Sequence, residues 1–155
     1  MQSYKLDEID RQIVMILQQD AQLKTKEIAQ QVGLTVTPTY DRIKRLERDG
    51  YISQYVALVD KQKVGKTLVV FCNVSLERHS KPLLVNFEAV IKQVPEVIEC
   101  HHIAGGYDYL MKVVVKDMPT YQDFITNKLA TFDNVANVQS SFVMTEVKNE
   151  TAIPL

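Results

Sequence analysis

Residues 25–52 read TKEIAQQVGLTVTPTYDRIKRLERDGYI, and their pattern decides the first half of the chain. An amphipathic run, 26–32, meets a Gly33-Leu34 break, and a second amphipathic run follows from about 36 to 49, ended by Gly50. Two short helices joined at a glycine turn form a helix-turn-helix layout, in which the first helix braces the second and the second presents its outer face to a DNA groove. Thr35 stands at the N-cap of the second helix, where its hydroxyl can satisfy a free backbone N–H. Pro38 falls in the first turn, where a missing N–H costs nothing. Val36, Tyr40, Ile43 and Leu46 recur at spacings of three or four and make an inward stripe. Thr37, Thr39, Arg42, Lys44 and Arg45 are then left facing outward. The expected DNA-binding set is Thr37, Thr39, Tyr40, Arg42, Lys44, Arg45 and Arg48: hydroxyls near the helix N-terminus for base edges or phosphates, cations for phosphates or guanine. The plainer alternative is a solvated charged face interrupted by Asp41, Glu47 and Asp49. The glycine turn and the bracing helix favour DNA.

Upstream, Leu6, Ile9, Ile13, Ile16 and Leu17 keep helical spacing across 6–20, and Asp7, Glu8 and Asp10 crowd the first turn, where the helix dipole favours negative charge. Three helices around a small core are the minimum that lets a helix-turn-helix stand. The β-leaning residues 55–59 suit a short wing or an arm leading out. The polar stretch 60–66 marks the boundary between a domain at 1–60 and a second at 61–155.

At 155 residues the chain has room for one domain or two small ones. Its 46% hydrophobic and 24% charged content is that of a soluble globular protein. No apolar run approaches the roughly 20 residues that span a bilayer, and the opening MQSYKLDEID is polar, unlike a signal peptide, so a cytoplasmic location is expected. The net charge of -1 lacks the excess typical of nucleic-acid binders, but Arg42, Lys44, Arg45 and Arg48 supply a local basic patch. Cys72 and Cys100 sit in apolar strand-like contexts and are expected as buried free thiols. No zinc-type Cys/His spacing is present, and neither a metal nor a cofactor is expected.

Beyond residue 67 the pattern changes to β-branched and apolar runs. Strands are expected at 68–74, 97–103, 109–115 and 135–147. Helices are expected at 80–94, stopped before Pro95, and from Asp117 to about Leu129. The order βαββαβ is the ferredoxin-like arrangement, with both helices on one face of a four-stranded sheet. Leu68, Val70, Cys72 and Val74 fall on one face of the first strand, Val69 and Phe71 on the other. Tyr109, Met111, Val113 and Val115 oppose Leu110 and Val114 in the same way. Both faces being apolar, a second copy is expected to cover the one the helices leave, unless the helix-turn-helix domain folds back over it.

The turn Gly105-Gly106-Tyr107-Asp108 admits two readings. Consecutive glycines can converge backbone N–H groups on an anion while Asp108 takes an ammonium, the two ends of an α-amino acid; glycine and aspartate also make ordinary hairpin turns. The opening LDEIDRQI, the IAQQVGLT to RIKRLERDGYI block, the βαββαβ half, this turn and the closing SFVMTEVK together resemble the Lrp/AsnC (feast/famine) transcriptional regulators over about 6–148. The resemblance implies an α+β chain: a winged-helix-like DNA-binding domain, a hinge strand, and a dimerising effector domain that assembles to octamers or higher. It also implies an effector, commonly an amino acid, held between neighbouring effector domains by Gly105, Gly106, Tyr107 and Asp108 and by Gln139, Ser140 and Ser141 of the last strand. Family members often carry threonine where Ser140 stands.

The same architecture resembles siroheme decarboxylases, with His101-His102 as a substrate-handling pair. Adjacent strand residues point to opposite faces, however, and no nucleophile–base pair is visible, so no enzyme is expected. An effector-binding scaffold without DNA binding is the remaining alternative, and the basic residues of the outer helix argue against it.

Overall fold

The computed structural model describes residues 5–155; the first four residues of the polar N-terminal stretch lie outside them. The chain divides into two compact units, one formed by the chain up to Leu58 together with Lys148–Leu155, the other by Val59–Val147. The C-terminal residues 148–155 thus group by contact with the first unit. Gln18 shows how: its side-chain amide donates to the Ile153 carbonyl (2.9 Å) and accepts from the Ile153 N–H (2.7 Å).

The first unit is built on α1 (Glu8–Gln19), α2 (Thr25–Gln31) and α3 (Val36–Arg48). Asp7 caps α1 by accepting from the Asp10 N–H at 2.8 Å, and Asp10 reaches back to the Asp7 N–H. Gly33, at φ +70°, makes the turn between α2 and α3 in a conformation that L side chains avoid. Ile13, Leu17, Ile28, Ile43 and Leu46 meet in the core.

The stripe expected on α3 is rotated. Ile43 and Leu46 are buried, but so is Thr39, while Val36 and Tyr40 are exposed. Thr39 can be buried because its hydroxyl donates to the Thr35 carbonyl one turn back, at 2.9 Å. Thr35 stands at the N-cap as expected, without the expected side-chain cap bond.

A second correction concerns Arg42 and Arg45. Arg42 donates to Asp7 (2.6 Å) and Asp10 (2.7 Å), and Arg45 Nη2 reaches both oxygens of Asp10 (3.0 and 3.1 Å). Asp10 is fully buried, so its charge depends on these partners. The hydrogen bonds Arg42 donates to Asp7 and Asp10 raise its pKa further above its already high value. After α3 no strand follows within the described part of this unit, and Val56 and Leu58 of the 53–60 segment are exposed. Of the two readings of residues 55–59, the wing is not formed and the arm leading out remains.

The second unit runs β1 (Leu68–Leu76), α4 (Lys81–Ile91), β2 (Val97–His102), β3 (Tyr109–Val115), α5 (Met118–Asn127) and β4 (Val135–Phe142). The antiparallel sheet has the order β2-β3-β1-β4, the ferredoxin-like topology. Asp117 caps α5 by accepting from the Thr120 N–H (2.9 Å). β4 stops at Phe142, short of residue 147, because its only partner is β1: Phe142 pairs with Val70, one further bond joins Val143 to Val69, and β1 then ends.

Val70, Cys72, Val74, Met111, Val113 and Val115 face the helices and are buried with Phe87 and Phe124. The other face carries Val69, Phe71, Leu110 and Val114, but also Asn73 and a Lys112–Glu99 ion pair of 3.1 Å. Lys112, opposite Phe71, and Asn73, opposite Leu110, interrupt the apolar residues on the two central strands. Cys72 is buried; Cys100, expected buried, is exposed on the edge strand β2.

Removing the Asp10 carboxylate leaves two arginines without the anion they surround. Asp10→Ala is expected to lower stability by about 3 kcal/mol, with Asp10→Asn in between, measured as loss of helical circular dichroism in urea.

Candidate functional site

The outer arc of α3 presents Val36, Thr37, Tyr40, Asp41, Lys44 and Arg48, all exposed. Lys44 donates to Glu47 at 2.7 Å and its ammonium stands 5.7 Å from the centre of the Tyr40 ring. Tyr55 donates to the other Glu47 oxygen at 3.0 Å. These bonds order Lys44 without burying it. Arg48 pairs with the adjacent Asp49 at 3.0 Å and remains largely exposed. Of the expected DNA-binding residues, Thr37, Tyr40, Lys44 and Arg48 share this surface. Thr39 lies in the core, and Arg42 and Arg45 are turned back onto α1.

In the second unit the hairpin between β2 and β3 carries Gly105, at φ +149°, a conformation open to glycine. Asp108 leaves this turn with its N–H donating to Val74 (2.9 Å). Its carboxylate accepts from the Leu76 N–H (2.7 Å) and pairs with His79 Nε2 (2.8 Å). The Leu76 N–H first, and His79 after it, hold the Asp108 carboxyl below the usual carboxylate range. A carboxylate with two oxygens offers about four acceptor sites, so an incoming ammonium still finds one.

The Tyr107 hydroxyl donates to Gln139 Oε1, joining the turn to β4. The register puts Gln139 and Ser141 opposite Asn73 and Phe71 on the face without helices. Ser140 pairs with Cys72 on the opposite face, and its hydroxyl bonds Tyr121, whose oxygen lies 3.1 Å from Cys72 Sγ. The structure therefore brings Tyr107, Asp108 and Gln139 together and separates Ser140 from them.

On the helix side, a concavity of about 470 Å³ opens between α4 and β2, lined by Glu88, Lys92, Cys100, His102 and Tyr109 among others. Tyr109 donates to Glu88 (3.0 Å) and its ring stacks on His102 at 4.8 Å. Burial, then the Glu88 carboxylate, push the Cys100 thiol up, away from thiolate character. His101 lies on the other face, opposite Leu110, so the two histidines do not share a site.

Residues 69–153 match the family described as the Lrp/AsnC ligand binding domain, and residues 6–53 match a winged helix-turn-helix DNA-binding family. The chain belongs to the Lrp/AsnC family of transcriptional regulators. It is 40% identical to the Bkd operon transcriptional regulator of Pseudomonas aeruginosa, over 97% of this chain and 99% of that one. It is 39% identical to the DNA-binding transcriptional activator DecR of Escherichia coli, over 97% and 99%. Among solved structures, a transcriptional regulator from Neisseria meningitidis in complex with L-Met superposes with a TM-score of 0.93 at 34% identity, covering 97% of both chains.

Within this Lrp/AsnC chain, His79 is a site neighbour that the sequence does not point to. Its distance from Asp108 in the sequence carries no signal; only the placement of β1 beside β3 joins them. The role of Asp10 had a partial signal, since an acid at N3 of a capped helix is expected to reach back to the N-cap, but its two arginine partners come from α3.

Two outcomes follow. Arg48→Ala and Lys44→Ala are each expected to weaken DNA binding and lower the slope of log affinity against log salt by about one, read by fluorescence anisotropy, with unfolding midpoints unchanged. For Asp108, the depressed pKa contributes stability that is present above the unfolded value of about 3.9 and is lost as pH falls through the lower folded value. His79→Ala is expected to move the Asp108 midpoint upward without restoring it fully, because the Leu76 N–H remains; carboxyl carbon shifts in an NMR titration measure this.

Proposed function

We propose that this chain regulates transcription by setting the outer arc of α3 against a DNA groove, and that an α-amino acid bound beside the Tyr107–Asp108 turn modulates its binding or assembly. The observation that carries the effector reading is the joining of a glycine turn, an ionised Asp108 and Gln139 of β4 at one end of the sheet. The L-Met complex of the Neisseria relative supports an amino-acid effector. Asp108 takes the ammonium, the backbone of Gly105 and Gly106 the carboxylate, and Gln139 orients what lies between. Ser141 shares its face of β4. Ser140 acts from the opposite face through Tyr121, as a support for β4.

The protein works as a homodimer that assembles to octamers or higher, and the apolar residues Val69, Phe71, Leu110 and Val114 support a second copy on that face. Two recognition helices related by a twofold axis then call for a pseudo-palindromic operator, with half-sites about one DNA turn or a multiple apart. The reading is of a cytoplasmic regulator without a cofactor and without catalysis, in keeping with the regulators it resembles. Among the described residues no helix is long and apolar enough to cross a membrane.

Differential scanning fluorimetry against the twenty amino acids tests the effector. A ligand that binds only the folded state must stabilise it, so one amino acid or a few related ones are expected to raise the melting temperature by several degrees at saturation. Asp108→Ala is expected to abolish that shift while leaving operator affinity without effector unchanged. A full shift in the variant would return the turn to a plain hairpin.

A further inference from the structure

The first two turns of α3 expose apolar surface that the helix has no need to leave uncovered. Val36 is 47% exposed and Tyr40 50% exposed, although both fit an inward stripe by sequence. They stand one turn apart and so lie side by side on the helix. Lys44, a turn further on, holds its ammonium 5.7 Å from the Tyr40 ring centre and extends the same row.

In a helix-turn-helix, the N-terminal residues of the second helix contact base edges. The outward side chains available there are Val36, Thr37, Tyr40 and Asp41. None carries the forked donors that read guanine O6 and N7 or the amide that reads adenine N6 and N7. The two arginines nearest this end, Arg42 and Arg45, are turned onto Asp7 and Asp10. The cations that remain on the arc, Lys44 and Arg48, sit toward the C-terminal half, where phosphate contact is the ordinary use. What this end offers to base edges is an isopropyl group, a threonine, a phenol ring and the Asp41 carboxylate, whose one base partner is the cytosine amino group. In the major groove an apolar surface has one base-specific partner, the 5-methyl group of thymine.

We propose that Val36 and Tyr40 form a thymine-methyl reading surface, so that each half-site is recognised through the 5-methyl groups of one or two thymines in the major groove. This rests on the DNA-binding reading above and deepens it by naming the base feature read. Covering the two side chains with methyl groups removes apolar area from water on both partners, a gain that cytosine and uracil do not offer. Lys44 and Arg48 bind phosphates on any sequence, so the apolar pair supplies discrimination and the cations supply affinity.

The test begins with selection of a bound operator from a random duplex library by the full chain. Each thymine of that operator is then replaced in turn by deoxyuridine, which deletes the 5-methyl group and keeps the base pairing. Loss of about fourfold in affinity is expected at one or two positions per half-site, the factor given by one buried methyl-sized group. In Val36→Ser, which leaves only Tyr40 to cover a methyl group, the same replacements are expected to cost less than about twofold, with circular dichroism showing the helices intact; a loss as large as in the parent overturns the role of Val36. An operator whose uracil-substituted forms all bind as tightly as the parent overturns the thymine assignment and leaves DNA binding standing. Failure to select any sequence overturns the DNA-binding reading and this inference with it.

Discussion

The buried carboxylate of Asp10 fixes the geometry of the DNA-binding unit. It closes the capping box at the start of α1 and takes hydrogen bonds from Arg42 and Arg45 of α3. A buried ion of this kind is costly alone and specific when paired, since its partners must arrive at defined positions. Apolar contacts among Ile13, Ile43 and Leu46 tolerate a helix that rolls; a carboxylate held between two guanidiniums one turn apart does not. The rotation of α3 follows from it. Turning Arg42 and Arg45 toward α1 carries Thr39 into the core and brings Val36 and Tyr40 outward. The price is two cations withdrawn from the DNA-facing arc. The consequence is an arc whose N-terminal half is apolar and hydroxylic and whose C-terminal half is cationic.

The second unit separates its tasks by the alternation of strand side chains. On β4, Gln139 and Ser141 face away from the helices, where Tyr107 bonds Gln139, and Ser140 faces inward to Tyr121 and Cys72. Residues adjacent in sequence thus serve a surface and a core. On β2 the same alternation sends His101 and His102 to opposite faces. Asp108 belongs to neither face; it sits where the β2–β3 hairpin returns to the sheet and is held by the Leu76 N–H at the end of β1. That bond ties the β2–β3 turn to a central strand and holds the carboxyl below the usual carboxylate range.

Periodicity made most of this architecture legible. The glycine break in residues 25–52 marks both helices, and the β-branched runs give all four strands with β3 correct at both ends. Strand order followed from the βαββαβ pattern, since few topologies connect those elements with helices on one face. The failures have physical causes. Reading 135–147 as one strand counted apolar residues without counting the partner strand's length. Placing Val36 and Tyr40 inside treated apolar residues as core residues, and a small roll that keeps Ile43 and Leu46 buried, set by ion pairs, defeated that rule. Thr39 was misread because a hydroxyl bonded to its own helix counts as polar in sequence and as satisfied in the fold. The Gly105–Asp108 stretch was legible as a turn, but the His79 partner of Asp108 was not, because their meeting depends on strand pairing.

A chain of bonds leads from the connecting segment to the reading surface. Tyr55, in the 53–60 segment that leads out of the first unit, donates to one oxygen of Glu47; Lys44 takes the other, and the Lys44 ammonium lies over the Tyr40 ring. Burial and the bond to Glu47 push the Tyr55 hydroxyl up to about 12, so it remains a donor throughout the physiological range. Each link is a single hydrogen bond or ring contact on the surface, worth little in stability. Their value lies in position. Without Tyr55 one Glu47 oxygen would lose its partner while Lys44 keeps the other, so the placement of Lys44 would rest on a Glu47 side chain held at one end only.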